Sequence, residues 1–219
     1  MSSFPGSPQL LKAGLILLDP DSGAVQRIIT LQYNPETLTR TLAVQAVGSD
    51  TADRSQALRL KGPPVETIKL EASIDATDQL EFPDQNQTTT ALGIRPQLAA
   101  IETLVYPPSS LLQSNNQLAQ MGTLEIVPMQ APLVLFSLGR NYLVPVRITD
   151  CSIVEEAYDP NLNPTLAKVS LGLRVLSIDD LDFASKGASL FLIYQQQKER
   201  FAGHAAVGAL GSLGLGGIP

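Results

Sequence analysis

Between residues 65 and 75 the chain alternates apolar and polar side chains: Ile68, Leu70, Ala72 and Ile74 fall in one phase and Thr67, Lys69, Glu71 and Ser73 in the other. A side-chain period of two describes a strand with one buried and one wetted face, and a helix cannot satisfy it. The pattern recurs along the chain. Residues 13–18 run into Asp19-Pro20-Asp21-Ser22-Gly23, a strong turn sequence, and residues 25–33 return with Val25, Ile29, Leu31 and Tyr33 on one face. That reads as a hairpin. Asn34 and Pro35 end it, because proline offers no N–H to a ladder and restricts the residue before it.

Alternation resumes over 38–47, and a strand-like pattern returns over 124–127, 133–138, 142–155 and 166–178. Gly139 opens a turn after 133–138, and Asp159 to Pro164 connects the last two. Helical spacing is confined to two stretches. Ile94, Leu98, Ile101 and Val105 predict a helix over 96–106, with Pro96 in its first turn and Pro107-Pro108 closing it. Residues 188–201 form a second, carrying Leu190, Tyr194 and Phe201 on one side, while 109–120 fit a short helix or a loop. The order of four strands, one helix, four strands and a helical tail predicts a mainly β fold. That fold is a β-barrel or two packed antiparallel sheets, with one helix inserted mid-domain. Residues 1–12 read as an N-terminal arm, 13–180 as the β domain, and 181–219 as a C-terminal helix and Gly-rich tail.

Charged residues make up only 16% of the chain, against roughly 25% in a typical soluble domain, which suits either a β-rich domain with a neutral surface of Ser, Thr, Gln and Asn or a surface partly covered by partners. The net charge of −6, with no basic run, argues against nucleic acid as a partner. One cysteine, Cys151, cannot form an internal disulfide. The first eight residues have neither a charged n-region nor a long apolar stretch, so no signal peptide is expected. No apolar run reaches membrane-span length, and no membrane partner is expected.

Catalytic and metal-binding patterns are not found. The single histidine, His204, lies in the tail, some fifty residues from Cys151, which reads as a small buried hydrophobe. The oxygen spacing from Asp159 to Asn163 mimics a calcium loop, but its sixth position is Pro164 and its twelfth is Ser170, where glycine and a bidentate glutamate are required. Asp179, Asp180 and Asp182 suit the approach to a helix N-terminus. The glycines after 208 have no lysine among them and follow no strand, so they form no phosphate loop. The sequence therefore predicts no enzyme, no cofactor and no metal.

Residues 48–64 are too long for an ordinary hairpin loop, yet they place Leu58 and Leu60 among Arg54, Arg59 and Lys61. Regularly spaced leucines among cations suggest an arm that orders on a neighbour, its leucines filling shallow pockets. Arg54, Leu58, Arg59, Leu60 and Lys61, with Leu190, Tyr194 and Phe201 of the last helix, are the expected interface residues. Asn34, Pro35, Gly139, Asp159 and Pro164 are the expected structural turn residues.

Four segments together carry a family resemblance. Leu31-Gln32-Tyr33-Asn34-Pro35-Glu36-Thr37-Leu38-Thr39-Arg40 resembles the aromatic-Asn-Pro signature that opens the tube-like domain of contractile injection system proteins. Residues 65–70 are similar to the next strand of that domain, and 132–139 to its Pro-x-x-Leu-Phe-x-x-Gly strand and turn. Residues 150–159, followed by 164–169, resemble its closing hairpin. The resemblance spans about 14–178, in the family's order. Leu138 stands where the family often has tryptophan, and no LysM-like module follows Ile178.

The resemblance implies a tail-tube-like β-barrel acting as a structural baseplate hub adapter of a phage-tail-like injection machine. Six copies would form a ring linking the inner tube to the spike, in a cytoplasmic particle. Implied partners are copies of itself, tube or tube-initiator subunits, the spike or hub protein and baseplate wedge proteins. An inner tube or tube-initiator subunit is the alternative within that class. A monomeric ligand-binding β-barrel is the alternative outside it.

Overall fold

The computed structural model describes residues 11–19, 22–47, 59–122, 131–205, 208, 210–213 and 218. Its strands are β1 (Gly14–Leu18), β2 (Val25–Thr30), β3 (Leu38–Ala43), β4 (Val65–Asp75), β5 (Leu133–Ser137), β6 (Leu143–Tyr158) and β7 (Pro164–Val175). Between β4 and β5 lie α1 (Thr77–Leu80), α2 (Gln87–Leu92), α3 (Arg95–Glu102) and α4 (Ser109–Gln120), and α5 (Lys186–Gly203) follows β7. All strand pairs are antiparallel and belong to one open sheet, in the order β2-β1-β5-β6-β7-β4-β3.

The mainly β class agrees with the sequence. The layering differs: one seven-stranded sheet takes the place of two packed sheets. Side-chain periodicity says which residues share a face but not which strands share a ladder, so it cannot separate these arrangements. The strand expected at 124–127 lies outside the described residues. A single mid-domain helix was also expected, and four occur among the described residues. Those the sequence did not reveal, α1 and α2, are four- and six-residue segments of Thr, Asp and Gln, too short and polar for an apolar period. The helix anticipated over 96–106 is α3, which ends at Glu102 because residues 103–105 form turns. Helix α4 buries none of its residues.

One face of the sheet holds the main core. Leu15 and Leu17 of β1, Ile68 and Leu70 of β4, Phe136 of β5, Val144 and Val146 of β6, and Val169, Leu171 and Leu173 of β7 cluster with Leu98 and Ile101 of α3. Each such side chain contributes about 1.5–3 kcal/mol by leaving water. A smaller cluster of Leu18, Leu133 and Leu135, with Leu190 of α5 packed on it, covers alternate residues of β1 and β5. Although the sequence sets the domain boundary at 180, Phe191 and Tyr194 of α5 join the main core.

The sheet curls. Arg40 on β3, at one edge, stacks 5.8 Å from the ring of Tyr142, which precedes β6 near the middle of the strand order. Register shifts in β6 at Ile148/Asp150 and beyond Glu155 are bulges, which raise local twist and let a long strand bend. Helix α3 is tied to this framework where the Ile94 N–H donates to the Pro164 carbonyl at 2.8 Å. Gly93 makes that approach possible. Its φ is +60°, and a Cβ there would collide with the same carbonyl.

Candidate functional site

The outermost strands, β2 and β3, each pair with a single neighbour among the described residues, leaving two open edges on one sheet. Neither contains lysine or proline, the usual guards against edge pairing. Both present apolar groups to solvent: Ile28 is 63% exposed, and Val44, just past β3, is 69% exposed. Their two arginines, although exposed, are engaged within the chain. Arg27 Nη1 donates to Thr103 Oγ1 at 3.1 Å, and Arg40 faces Tyr142 and Glu66.

The turn residues hold the edges in place. The Asn34 carboxamide accepts from the Ala13 N–H at 2.8 Å and donates to the Leu11 carbonyl at 2.9 Å, copying a paired peptide beside the start of β1. Pro35 lies in the same link between β2 and β3. Gly139, at φ +75°, turns the tip of the β5–β6 hairpin, and Leu138 N–H donates to the Tyr142 carbonyl at 2.8 Å. Asp159 organises the β6–β7 turn. Its carboxylate accepts from the Asn161 and Asn163 N–H groups, both at 2.8 Å, and from Asn163 Nδ2 at 2.9 Å. These bonds, the Asn163 side chain first among them, hold its pKa below the ordinary value. Pro164 starts β7 and is buried.

Arg54 and Leu58 of the expected arm lie outside the described residues. Its exit is paired within the chain. Val47 N–H donates to the Arg59 carbonyl at 3.0 Å, Lys61 N–H to the Gln45 carbonyl at 2.8 Å, and Ala46 bridges Leu60. The β3–β4 hairpin is thereby prolonged and the loop leaves from its tip, with Leu60 64% exposed. On α5 the three interface candidates separate. Leu190 and Tyr194 pack within the chain's own core, and Phe201 stays exposed.

Besides this apolar packing, a buried carboxylate ties α5 to the sheet. Glu66, only 3% exposed, accepts from the Tyr194 hydroxyl at 2.9 Å through Oε1 and from Lys198 Nζ at 2.8 Å through Oε2. A charge this buried is tolerated only when paired. Arg40 Nη1 stands 3.8 Å away, beyond hydrogen-bond reach. The Tyr194 and Tyr142 hydroxyls are 3.3 Å apart. A carboxylate only accepts, so the Tyr194 proton is committed to Glu66 and Tyr142 is left to donate to Tyr194. Burial pushes both phenols above their usual range, Tyr194 furthest, with Tyr142 and Glu66 adding to its shift. Lys198 Nζ also sits 4.0 Å from the centre of the Tyr194 ring. Leu38, Arg40, Leu138, Tyr142, Lys198 and Phe201 line a cleft of about 460 Å³ over this cluster.

The alternation of β4 contains the signal for this site. Glu66 lies two residues before Ile68, in the apolar phase of the strand, where an acid needs a buried partner. The acidic run before α5 has a different role from helix capping. Asp180 accepts from Arg174 Nη2 at 2.6 Å and from the Ser177 N–H at 3.1 Å, whereas the helix is capped by Ser185, whose hydroxyl accepts from the Ala188 N–H. Cys151 is a half-buried thiol on β6, its pKa raised chiefly by burial, and His204 follows the last turn of α5. Among the described residues, no group of three or more potential metal ligands gathers, and no helix is long and apolar enough to cross a membrane. Comparison with protein-family models finds none that matches the chain, and comparison with curated proteins finds no match.

Proposed function

We propose that the chain is a structural, non-enzymatic subunit of a contractile, phage-tail-like injection machine. It forms a closed ring at the baseplate end of the inner tube and links tube to spike hub. The observation that carries this reading is the pair of unguarded edges, β2 and β3, at opposite ends of one sheet. An edge strand is a template for pairing with another chain. When the two edges differ, the contact between copies is heterologous and closes into a ring wherever the rotation permits. In such a ring β2 of each copy pairs with β3 of the next, and the curled sheets complete a tube-like barrel. The ordered resemblance of residues 31–40, 65–70, 132–139 and 150–169 to tube-like domains supports the same reading.

Imaging purified particles whose subunit carries a small C-terminal label tests the assignment. One ring of six labels at the junction of tube and baseplate is the expected result. Labels along the whole tube would make the chain an inner tube subunit, and particles without label would overturn the proposal.

A further inference from the structure

The cleft above Glu66 has more positive than negative charge. Lys198 and Arg40 converge on the one carboxylate of Glu66, whose two oxygens already have Lys198 and Tyr194 as donors. Arg40 therefore remains as a surplus cation on a chain whose net charge is −6. The exposures are ordered in the same sense. The Arg40 side chain is 43% accessible and Lys198 33%, while Glu66 is 4% accessible. Anything entering the cleft meets the cations and not the carboxylate.

The rest of the lining is mixed: Leu38, Leu138 and Phe201 are apolar, and Asn141 and Gln197 are polar. A volume of about 460 Å³ lies within the range of small-ligand clefts, roughly 300–1,000 Å³. A single guanidinium presents a planar fork that matches one carboxylate. A dianionic phosphate would leave one charge uncompensated beside Glu66. A cationic ligand would face two cations.

We propose that this cleft binds an acidic side chain of another protein chain. The carboxylate would lie on the Arg40 guanidinium, and an apolar residue next to it in sequence would lie against Leu38, Leu138 and Phe201. Binding of this kind is a property of the single chain and does not depend on ring assembly.

The probes are a capped leucine–glutamate–leucine tripeptide and its glutamine counterpart, titrated into the full chain with ¹³C-labelled tyrosine. The glutamate peptide should shift the ring signals of Tyr142 and Tyr194 saturably and leave those of Tyr33 and Tyr106 in place. The glutamine peptide should need about tenfold more to do the same. Arg40→Gln should abolish the preference, with melting behaviour showing that the variant is folded. Arg40→Lys, which keeps the charge but loses the fork, should retain part of it and serves if Arg40→Gln does not fold. Equal response to the two peptides, or a preference that survives loss of the arginine, would overturn the site. Binding of free hexanoate without binding of the glutamate peptide would overturn the assignment to a protein segment.

Discussion

The side chain of Gln32 is paired with the backbone of Asp75 as a strand residue would be. Its Nε2 donates to the Asp75 carbonyl at 2.7 Å, and its Oε1 accepts from the Asp75 N–H at 2.9 Å. Asp75 is the last residue of β4, beyond the reach of β3, whose ladder ends at Leu70. The link that follows β2 thus fastens itself to a strand near the far end of the sheet order, and a side-chain amide joins what no backbone ladder joins among the described residues. Gln32→Ala leaves a partly buried N–H and C=O unpaired. It should lower stability by about 1–3 kcal/mol in denaturant unfolding; a variant as stable as the parent would show the pairing to be incidental.

Asn34 performs the equivalent task at the start of β1. Asn34→Ala removes two side-chain hydrogen bonds, to Ala13 and Leu11, at about 1 kcal/mol each. Pro35→Ala removes no hydrogen bond and should have the smaller effect on the melting temperature. The reverse ranking would contradict the role given to the carboxamide.

Tyr194 and Glu66 should behave as a coupled pair. Tyr194→Phe strips one donor from a buried carboxylate, and Glu66→Gln removes the charge that required it. Each single change should destabilise, and the double variant should be less affected than the sum, with a coupling of about 0.5–3 kcal/mol in a double-mutant cycle. Additive effects would mean that the hydroxyl and the carboxylate do not interact.

The β6–β7 turn carries a pH dependence of known sign. Hydrogen bonds from Asn163 and Asn161 depress the Asp159 pKa in the folded chain. Its stabilising contribution is therefore complete above the unfolded value of about 3.9 and disappears as pH falls through the lower folded value. Asp159→Asn should melt below the parent at neutral pH, and the gap should close only in strong acid. A gap independent of pH would remove the carboxylate's charge from the account.

What the sequence made legible follows its periodicities. The alternation of residues 65–75 matches β4 residue for residue, and β1 and β2 pair as the expected hairpin, with Gly23 N–H donating to the Asp19 carbonyl at 2.9 Å. The long strands β6 and β7 were readable to within a few residues from their length, from the alternation of Val169 and Leu171 with Lys168 and Ser170, and from the turn sequence between the two strands. Strand order was not readable. The partnership of β5 with β1, across more than a hundred residues, leaves no local trace. The Glu66 cluster was hidden for a related reason: Arg40, Glu66, Tyr142 and Tyr194 come from four separate stretches of chain, and only the position of Glu66 in the apolar phase marks it. Tyr194 was expected at an interface because helical spacing groups it with Leu190 and Phe201. That spacing does not reveal which of the three faces the chain's own core.

The central claim is that the open edges of this sheet pair with copies of the same chain. Light scattering on the purified full-length protein across a micromolar concentration series measures this most directly. The account predicts a concentration-dependent rise from 23.4 kDa to a single closed species of about six times that mass, abolished by proline in place of Ile28 at the β2 edge. A mass that stays at 23.4 kDa throughout the series would contradict it.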